Sequence, residues 1–170
     1  MTMRKTILLL LACAGIALKA SAQRNSDRLS LGAGLLYENG MDLTIAYEHE
    51  GNYRHAWEFF ANGYLKWAEC ASCGHVCPDS FWRNYRSYGF GAAYKPCVTR
   101  GRNHFGNLRI GASAGSDTRK FVAGLHLGYE HNYVMRSGWM LFWQVKSDVM
   151  IKGKDLFRTG IVLGVKLPVK

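Results

Sequence analysis

The sequence predicts an all-β protein, specifically an eight-stranded antiparallel up-and-down barrel of the outer-membrane type. Three observations carry this prediction. Apolar and polar residues alternate with a period of two along most of the chain, short turn-forming segments separate the alternating runs, and aromatic residues lie near the ends of several runs. Because successive side chains of a strand point to opposite faces, each run has one apolar face and one polar face.

The first 22 residues read as an export signal and are set apart from the fold. Two basic residues precede an uncharged apolar run at 6–18, and Ala20-Ser21-Ala22 supplies small residues for cleavage before Gln23. The run is shorter than the roughly 20 apolar residues that a spanning helix needs. Cys13 lies in a weakly lipoprotein-like context, but cleavage after Ala22 fits better. We therefore expect a signal peptide at 1–22 and a β-barrel domain at 23–170.

Eight runs of alternating residues are predicted as strands, and turn-forming residues lie between them. Glu38-Asn39-Gly40 is a tight hairpin signal, because Asn and Gly tolerate positive φ. Connections this short make neighbouring strands antiparallel, and an even number of consecutive hairpins is typical of an up-and-down barrel. The predicted strands are Leu29–Tyr37, Met41–His49, His55–Trp67, Trp82–Lys95, Phe105–Gly115, Phe121–Val134, Gly138–Met150 and Leu156–Val169.

Alternation alone does not say whether the apolar face meets lipid or a dry core, and the aromatic residues favour lipid. Trp57 and Trp67 lie near the two ends of one strand, and Trp82 and Tyr94 bracket the next. Aromatic residues about ten positions apart match the girdles that flank the hydrocarbon band of membrane barrels. The chain ends in Lys170 without the terminal aromatic residue of many outer-membrane proteins, so a periplasmic sheet is the alternative location.

The polar face also favours a membrane barrel, because it carries charges of both signs together with many glycines. A small barrel can pair such charges internally, and glycines leave room for long partners. We expect an interior polar network that contains Glu58, Arg109, Glu130, Lys146, Asp148 and Arg158.

Four cysteines follow the signal, and two interpretations of them remain open. Cys70, Cys73 and Cys77 lie in one long loop, and Cys97 follows the fourth predicted strand. Disulfides are the first interpretation, because an exported protein meets an oxidising compartment and four cysteines make two bridges. A zinc site is the second, with His75 or Cys97 as fourth ligand. Cys97, however, is expected at the barrel end opposite the loop, beyond the roughly 7 Å that disulfide-bonded Cα atoms allow.

Composition and motifs argue against nucleic-acid binding and catalysis. The formal net charge of +10 becomes +7 when Arg4, Lys5 and Lys19 leave with the signal. The basic residues are scattered, and no nucleic-acid-binding motif is present. The sequence has no Gly-x-Ser-x-Gly, His-Glu-x-x-His or phosphate-loop motif. We expect no enzyme activity, no direct nucleic-acid binding and no cofactor other than zinc at the cysteines.

Two segments resemble the TraO-like conjugal transfer proteins of Bacteroidetes conjugative transposons. They are residues 73–85, CGHVCPDSFWRNY, and residues 152–161, KGKDLFRTGI, within the pattern of a signal followed by eight strands. The resemblance implies a non-enzymatic accessory envelope component of a DNA-transfer apparatus, with outer-membrane lipid and other conjugal transfer proteins as partners. The alternative is a stand-alone small barrel that binds a ligand or a surface, in the outer membrane or the periplasm.

Overall fold

The computed structural model describes residues 26–37, 39–70, 73–77 and 84–169, so the predicted signal peptide lies outside the described residues. Nearly all of the described chain is β-strand, apart from a short 3-10 turn at Asn52–Arg54. No helix in this part of the chain is long and apolar enough to cross a membrane. The strands are β1 (Ser26–Leu36), β2 (Gly40–Glu50), β3 (Ala56–Trp67), β4 (Asn84–Lys95), β5 (Cys97–Arg100), β6 (His104–Ser116), β7 (Phe121–Val134), β8 (Met140–Ile151) and β9 (Phe157–Val169).

The strands close into an eight-stranded antiparallel barrel, which confirms the predicted fold class. Their order in the sheet is β4-β3-β2-β1-β9-β8-β7-β6-β5, and pairing of β4 with β6 closes the sheet. The short strand β5 continues β4 beyond Pro96, so the two together act as one strand of the barrel. Proline has no N–H to donate, and the ladder shifts register between Cys97 and Thr99.

Two strand boundaries differ from the prediction by three residues or more, and the other described boundaries agree within two residues. The first strand begins at Ser26, three residues before Leu29, where Asp27 pairs with both β2 and β9. The fourth strand resumes after Lys95 as β5 and reaches Arg100. Its predicted start at Trp82 lies outside the described residues, and so does the contribution of Trp82 to an aromatic girdle. The predicted hairpin is present, with Asn39 in the left-handed region at a φ of 60°.

The apolar face of the sheet points outward, as the prediction for a membrane barrel requires. Large apolar side chains on every long strand are exposed, including Leu35 at 75 %, Leu163 at 64 % and Ile161 at 56 %. The interior holds the polar residues, and 18 polar or charged side chains of the described residues are buried there. A soluble protein would have the opposite arrangement, because water covers charges far more favourably than hydrocarbon. The outer surface is therefore one that lipid covers.

The barrel has two distinct ends. The terminal end carries the first and last described strand residues, Ser26 and Val169, and the turns at 51–55, 101–103 and 135–139. The loop end carries the turns at 37–39, 117–120 and 152–156 and the 16-residue connection at 68–83. Membrane barrels of bacteria have short periplasmic turns and longer external loops. The loop end therefore corresponds to the external side.

Aromatic residues lie at both ends of the outer surface. At the terminal end, the rings of Trp57 and Tyr94 are 5.0 Å apart, and Trp143 lies 5.7 Å from Tyr129. Trp67 is the last residue of β3, at the loop end. Aromatic rings are favoured at the boundary between lipid and water, because they combine an apolar body with a polar edge. Their positions mark the two edges of the apolar belt.

Candidate functional site

Six charged side chains meet in the half of the interior nearer the terminal end, and we call them the central charge cluster. Three are carboxylates and three are cations, and each comes from a different strand: Glu48 (β2), Glu58 (β3), Lys95 (β4), Arg109 (β6), Glu130 (β7) and Lys166 (β9). The Nζ of Lys95 lies 2.8 Å from Glu48 and 2.7 Å from Glu130, and it also contacts Glu58.

The other two cations complete the neutralisation of the cluster. Lys166 lies 2.7 Å from Glu48 and 2.6 Å from Glu130, and Arg109 lies 2.7 Å from Glu58. Every carboxylate thus has two cationic neighbours, and the formal charges cancel. Because a buried charge is tolerated only when it is paired and hydrogen-bonded, this balance is a condition of the fold. The three carboxylates are close enough to hold a metal ion, but the two lysine ammonium groups already lie among them.

A second group of polar side chains lies nearer the loop end, and we call it the histidine cluster. Lys146 contacts Asp42 and lies 2.8 Å from Asp148. His126 has its Nδ1 2.9 Å from Oδ1 of Asp148, and its Nε2 lies 2.7 Å from Oγ of Ser113. Four of these residues are almost fully buried, and Ser113 is half-buried.

The order Ser113, His126, Asp148 has the residue types of a hydrolytic triad, but the geometry favours a structural role. In a working triad the carboxylate accepts a hydrogen bond that orients the imidazole. Here Nδ1 of His126 is near Asp148 without the alignment of a hydrogen bond. Lys146 also shares that carboxylate. A substrate needs a cleft beside the nucleophile, and the described interior offers no cleft that is large enough for one.

An interior cavity between the two clusters has a volume of about 20 Å³. Glu58, Arg109, His126 and Lys146 contribute to its walls, together with Phe60 and Phe142 from the apolar part of the interior. A cavity of this size holds roughly one water molecule, whereas small-molecule sites have about 300 Å³ or more. In the described part of the barrel, the interior is therefore filled by side chains.

The predicted interior network is only partly one network. Glu58, Arg109 and Glu130 belong to the central charge cluster, and Lys146 and Asp148 belong to the histidine cluster. All five are buried. Arg158 is also buried but belongs to neither cluster.

Arg158 lies closer to the loop end, where it meets aromatic and hydroxyl groups. Its guanidinium carbon is 3.8 Å from the centre of the Tyr64 ring, and its Nη1 donates to Ser87 over 3.2 Å. Tyr64 in turn donates to Asp155 over 2.9 Å, and Lys66 donates to the same carboxylate over 2.7 Å. Although desolvation raises the pKa of Asp155, the hydrogen bonds from Lys66 and Tyr64 lower it more. The β8–β9 turn is thereby tied to β3.

The three loop cysteines lie together in a compact turn. Their Sγ atoms are all within 4.8 Å of one another. The N–H of Gly74 donates to the carbonyl of Cys70 over 2.9 Å, and the N–H of Cys70 donates to the carbonyl of His75, also over 2.9 Å. Gly74 has a φ of +71°, which a residue with a side chain rarely adopts. The glycine therefore allows the reversal that brings the thiols together.

The environment of Cys73 reflects its two neighbouring thiols. A backbone hydrogen bond at His75 lowers the pKa of the Cys73 thiol, but desolvation and the thiols of Cys70 and Cys77 raise it, and the net direction is upward. Adjacent thiolates repel each other, so each one disfavours ionisation of the next. A bound cation would reverse this effect.

The disulfide interpretation is not supported for any of the four cysteines. The structure contains no disulfide among Cys70, Cys73, Cys77 and Cys97. Cys97 begins β5 at the terminal end, where its N–H donates to His55 over 3.1 Å. The 12-residue strand β3 separates that end from the loop, a length of roughly 40 Å. Neither Cys97 nor the ring of His75 belongs to the group of three thiols.

Comparisons with known proteins identify the class of fold to which the chain belongs. No protein-family profile and no curated protein sequence matches the chain. The structure is similar to a major outer membrane protein from Thermus thermophilus, with a TM-score of 0.51 and 11 % identity over 86 % of this chain and 100 % of that one. It is also similar to Neisserial surface protein A (NspA), with a TM-score of 0.51 and 13 % identity over 85 % of this chain and 96 % of that one.

The chain is therefore a small eight-stranded β-barrel of the outer-membrane type. The expected outer-membrane location agrees with this fold and with the exposed apolar belt. The identities are too low to carry over any activity from these structures.

Several members of the two clusters were not among the predicted network residues. Lys95 contacts all three carboxylates of the central charge cluster, but its predicted position is only the last residue of a strand. The sequence spacing does indicate that Lys95 faces the interior. It lies an even number of positions after Gly89, Gly91 and Ala93, and residues two apart in a strand share a face. Asp42, Glu48 and Lys166 lie on the polar face by the same alternation.

Proposed function

We propose that the chain is a non-enzymatic accessory component of a conjugative DNA-transfer apparatus, anchored in the outer membrane by its barrel. The observation that carries the anchor role is the filled interior. The cavity between the two clusters has about 20 Å³ of space, and charged, polar and apolar side chains are buried around it. A barrel that neither conducts nor holds a substrate acts through its ends and its outer surface.

The process itself is inferred from the sequence. Residues 73–85 and 152–161, which carry the resemblance to TraO-like proteins, include the cysteine turn and the β8–β9 turn. Both belong to the loop end of the barrel. This placement supports a role in which the loop end meets other transfer proteins.

The test is a mating assay with a donor that lacks this chain. We expect transfer to fall on deletion and to return when the full chain is supplied in trans. A barrel whose 73–77 turn is replaced by a short glycine-serine linker keeps the anchor and tests the loop end. Unchanged transfer in the deletion strain would refute a role in conjugation, while leaving the barrel itself untouched.

A second candidate function is binding to an anionic surface of the envelope. Basic side chains outnumber acidic ones among the exposed described residues of the loop end: Arg86, Arg119, Lys120, Lys152 and Lys154 against Glu69. Such an excess favours phosphate-bearing lipids or sugars through long-range attraction. Salt-sensitive binding of the purified barrel to vesicles with anionic sugar headgroups, with no change in mating on deletion, would favour this function.

A further inference from the structure

We infer that Cys70, Cys73 and Cys77 form a zinc-binding site of three thiolates on the loop end of the barrel. The site lies outside the lipid belt, in the connection between β3 and β4. Its three sulfur atoms come from a segment of eight residues, so local backbone geometry is enough to assemble it.

The distances fit a metal better than a disulfide. A zinc ion holds thiolate sulfurs at about 2.3 Å in tetrahedral directions, which separates any two sulfurs by roughly 3.8 Å. All three Sγ atoms already lie within 4.8 Å of one another, so small rotations of the side chains complete the site. A disulfide would join only two of the three sulfurs, at about 2.05 Å, whereas one metal ion uses all three.

The backbone of the turn supports the same assignment. Cys70 and Cys73 have the Cys-x-x-Cys spacing of many zinc sites, and Gly74 follows in the left-handed region. The hydrogen bond from Gly74 N–H to the Cys70 carbonyl closes the turn between the first two ligands. Cys77 completes the group of three Sγ atoms. The backbone hydrogen bonds thus hold Cys70, Gly74 and His75 together beside the three thiols.

Zinc is favoured by the chemistry of the donors and by the compartment. Soft thiolates select zinc, copper(I) or iron–sulfur clusters. Zinc keeps one oxidation state, so its binding needs no electron transfer. An odd number of thiols, with Cys97 at the far end of the barrel, cannot form disulfides completely within one chain. Binding replaces the thiol protons, releases them to solvent and leaves the fourth coordination position to water.

The experiment measures the metal content of the mature chain, purified in detergent without chelator under mild reduction. We expect one zinc ion per chain in the wild type and in the matched control Cys97→Ser, which removes the thiol at the terminal end. The triple variant Cys70→Ser/Cys73→Ser/Cys77→Ser should contain none, and Cys73→Ser alone should lose more than about tenfold in affinity. Heat-modifiable gel mobility shows that each variant keeps the folded barrel.

A second readout uses cadmium as a probe of the ligands. Titration of the zinc-free wild type with cadmium should produce an ultraviolet thiolate-to-metal absorption that saturates at one equivalent. The triple variant should lack this absorption. Zinc retained by the triple variant, no binding by the reduced wild type, or a disulfide between two of the three cysteines in protein isolated from cells would each overturn the proposal.

Discussion

Replacement of Lys95 by methionine tests whether the central charge cluster holds the barrel together. Lys95 is fully buried and contacts carboxylates on β2, β3 and β7. Methionine has a similar length and no charge, so it removes the ammonium group while retaining most of the packing volume. The variant leaves three carboxylates facing two cations in the same enclosed space.

The structure allows the size of the effect to be worked out. After the change, Glu48 and Glu130 still have Lys166, and Glu58 still has Arg109. No carboxylate is left alone, but the cluster carries one uncompensated negative charge. Removing one partner of a buried ion pair costs about 3–5 kcal/mol. Since partial pairing survives, we expect about 3 kcal/mol for Lys95→Met, at the lower end of that range.

The assay is equilibrium unfolding of the barrel by urea in lipid vesicles, monitored by tryptophan fluorescence. A shift of the midpoint at constant slope gives the change in the free energy of unfolding. The matched control is Lys120→Met, which removes a lysine from the exposed β6–β7 turn and should change stability by less than about 0.5 kcal/mol.

A second variant separates charge balance from packing. Lys95→Met/Glu58→Gln has the same loss of the ammonium group but restores neutrality, so we expect it to recover at least about 1 kcal/mol of the loss. If Lys95→Met unfolds at the same urea concentration as Lys120→Met, the cluster does not contribute to stability and the reasoning fails.

Three further predictions concern the lipid face, the loop end and the histidine cluster. Ile161→Arg places a charge in the middle of the apolar belt and should destabilise the barrel by about 2–4 kcal/mol in vesicles, and an unfolding midpoint equal to that of the wild type would show that lipid does not cover this face. Asp155→Asn should cost about 0.5–1 kcal/mol at neutral pH. Because the pKa of Asp155 is lowered in the folded state, its contribution is present above the unfolded value, near 3.8, and is lost as the pH falls below it. Urea midpoints that differ between wild type and Asp155→Asn as much at pH 3 as at pH 7 would contradict this assignment. Finally, a fluorophosphonate probe should leave Ser113 unlabelled in the folded barrel, and labelling that disappears in Ser113→Ala would reveal the hydrolase that the geometry argues against.

The fold was predictable because one-dimensional alternation determines which side of a closed sheet each residue faces. The run 139–150 illustrates this, since Trp143 and Val145 are exposed while Gln144 and Lys146 are buried. The interior is nevertheless not purely polar, because Phe60, Phe142 and Val162 fill it beside the charges. Their positions agree with the alternation, because they face inward, but their side chains are apolar instead of polar.

The contacts within the interior could not be predicted, because they join strands that are far apart in sequence. Lys166 and Glu48 lie 118 residues apart and meet inside the barrel, where β1 lies between their strands. Alternation identifies both as interior residues, but their partners depend on the tilt and stagger of the closed barrel. The irregularity after Pro96 also involves a neighbouring strand, because the shift of register between Cys97 and Thr99 occurs in the pairing of β5 with β6.

The six-strand origin of the central charge cluster has a consequence for the order of assembly. An open sheet that entered the membrane would carry unneutralised ammonium and carboxylate groups into hydrocarbon, since no two members of the cluster share a strand. The pairs Lys95–Glu130 and Arg109–Glu58 cross the β4–β6 seam, so the cluster is fully paired only when that seam shuts. Partly closed intermediates therefore have a high free energy in the membrane. Insertion and closure are thereby coupled into a single cooperative event.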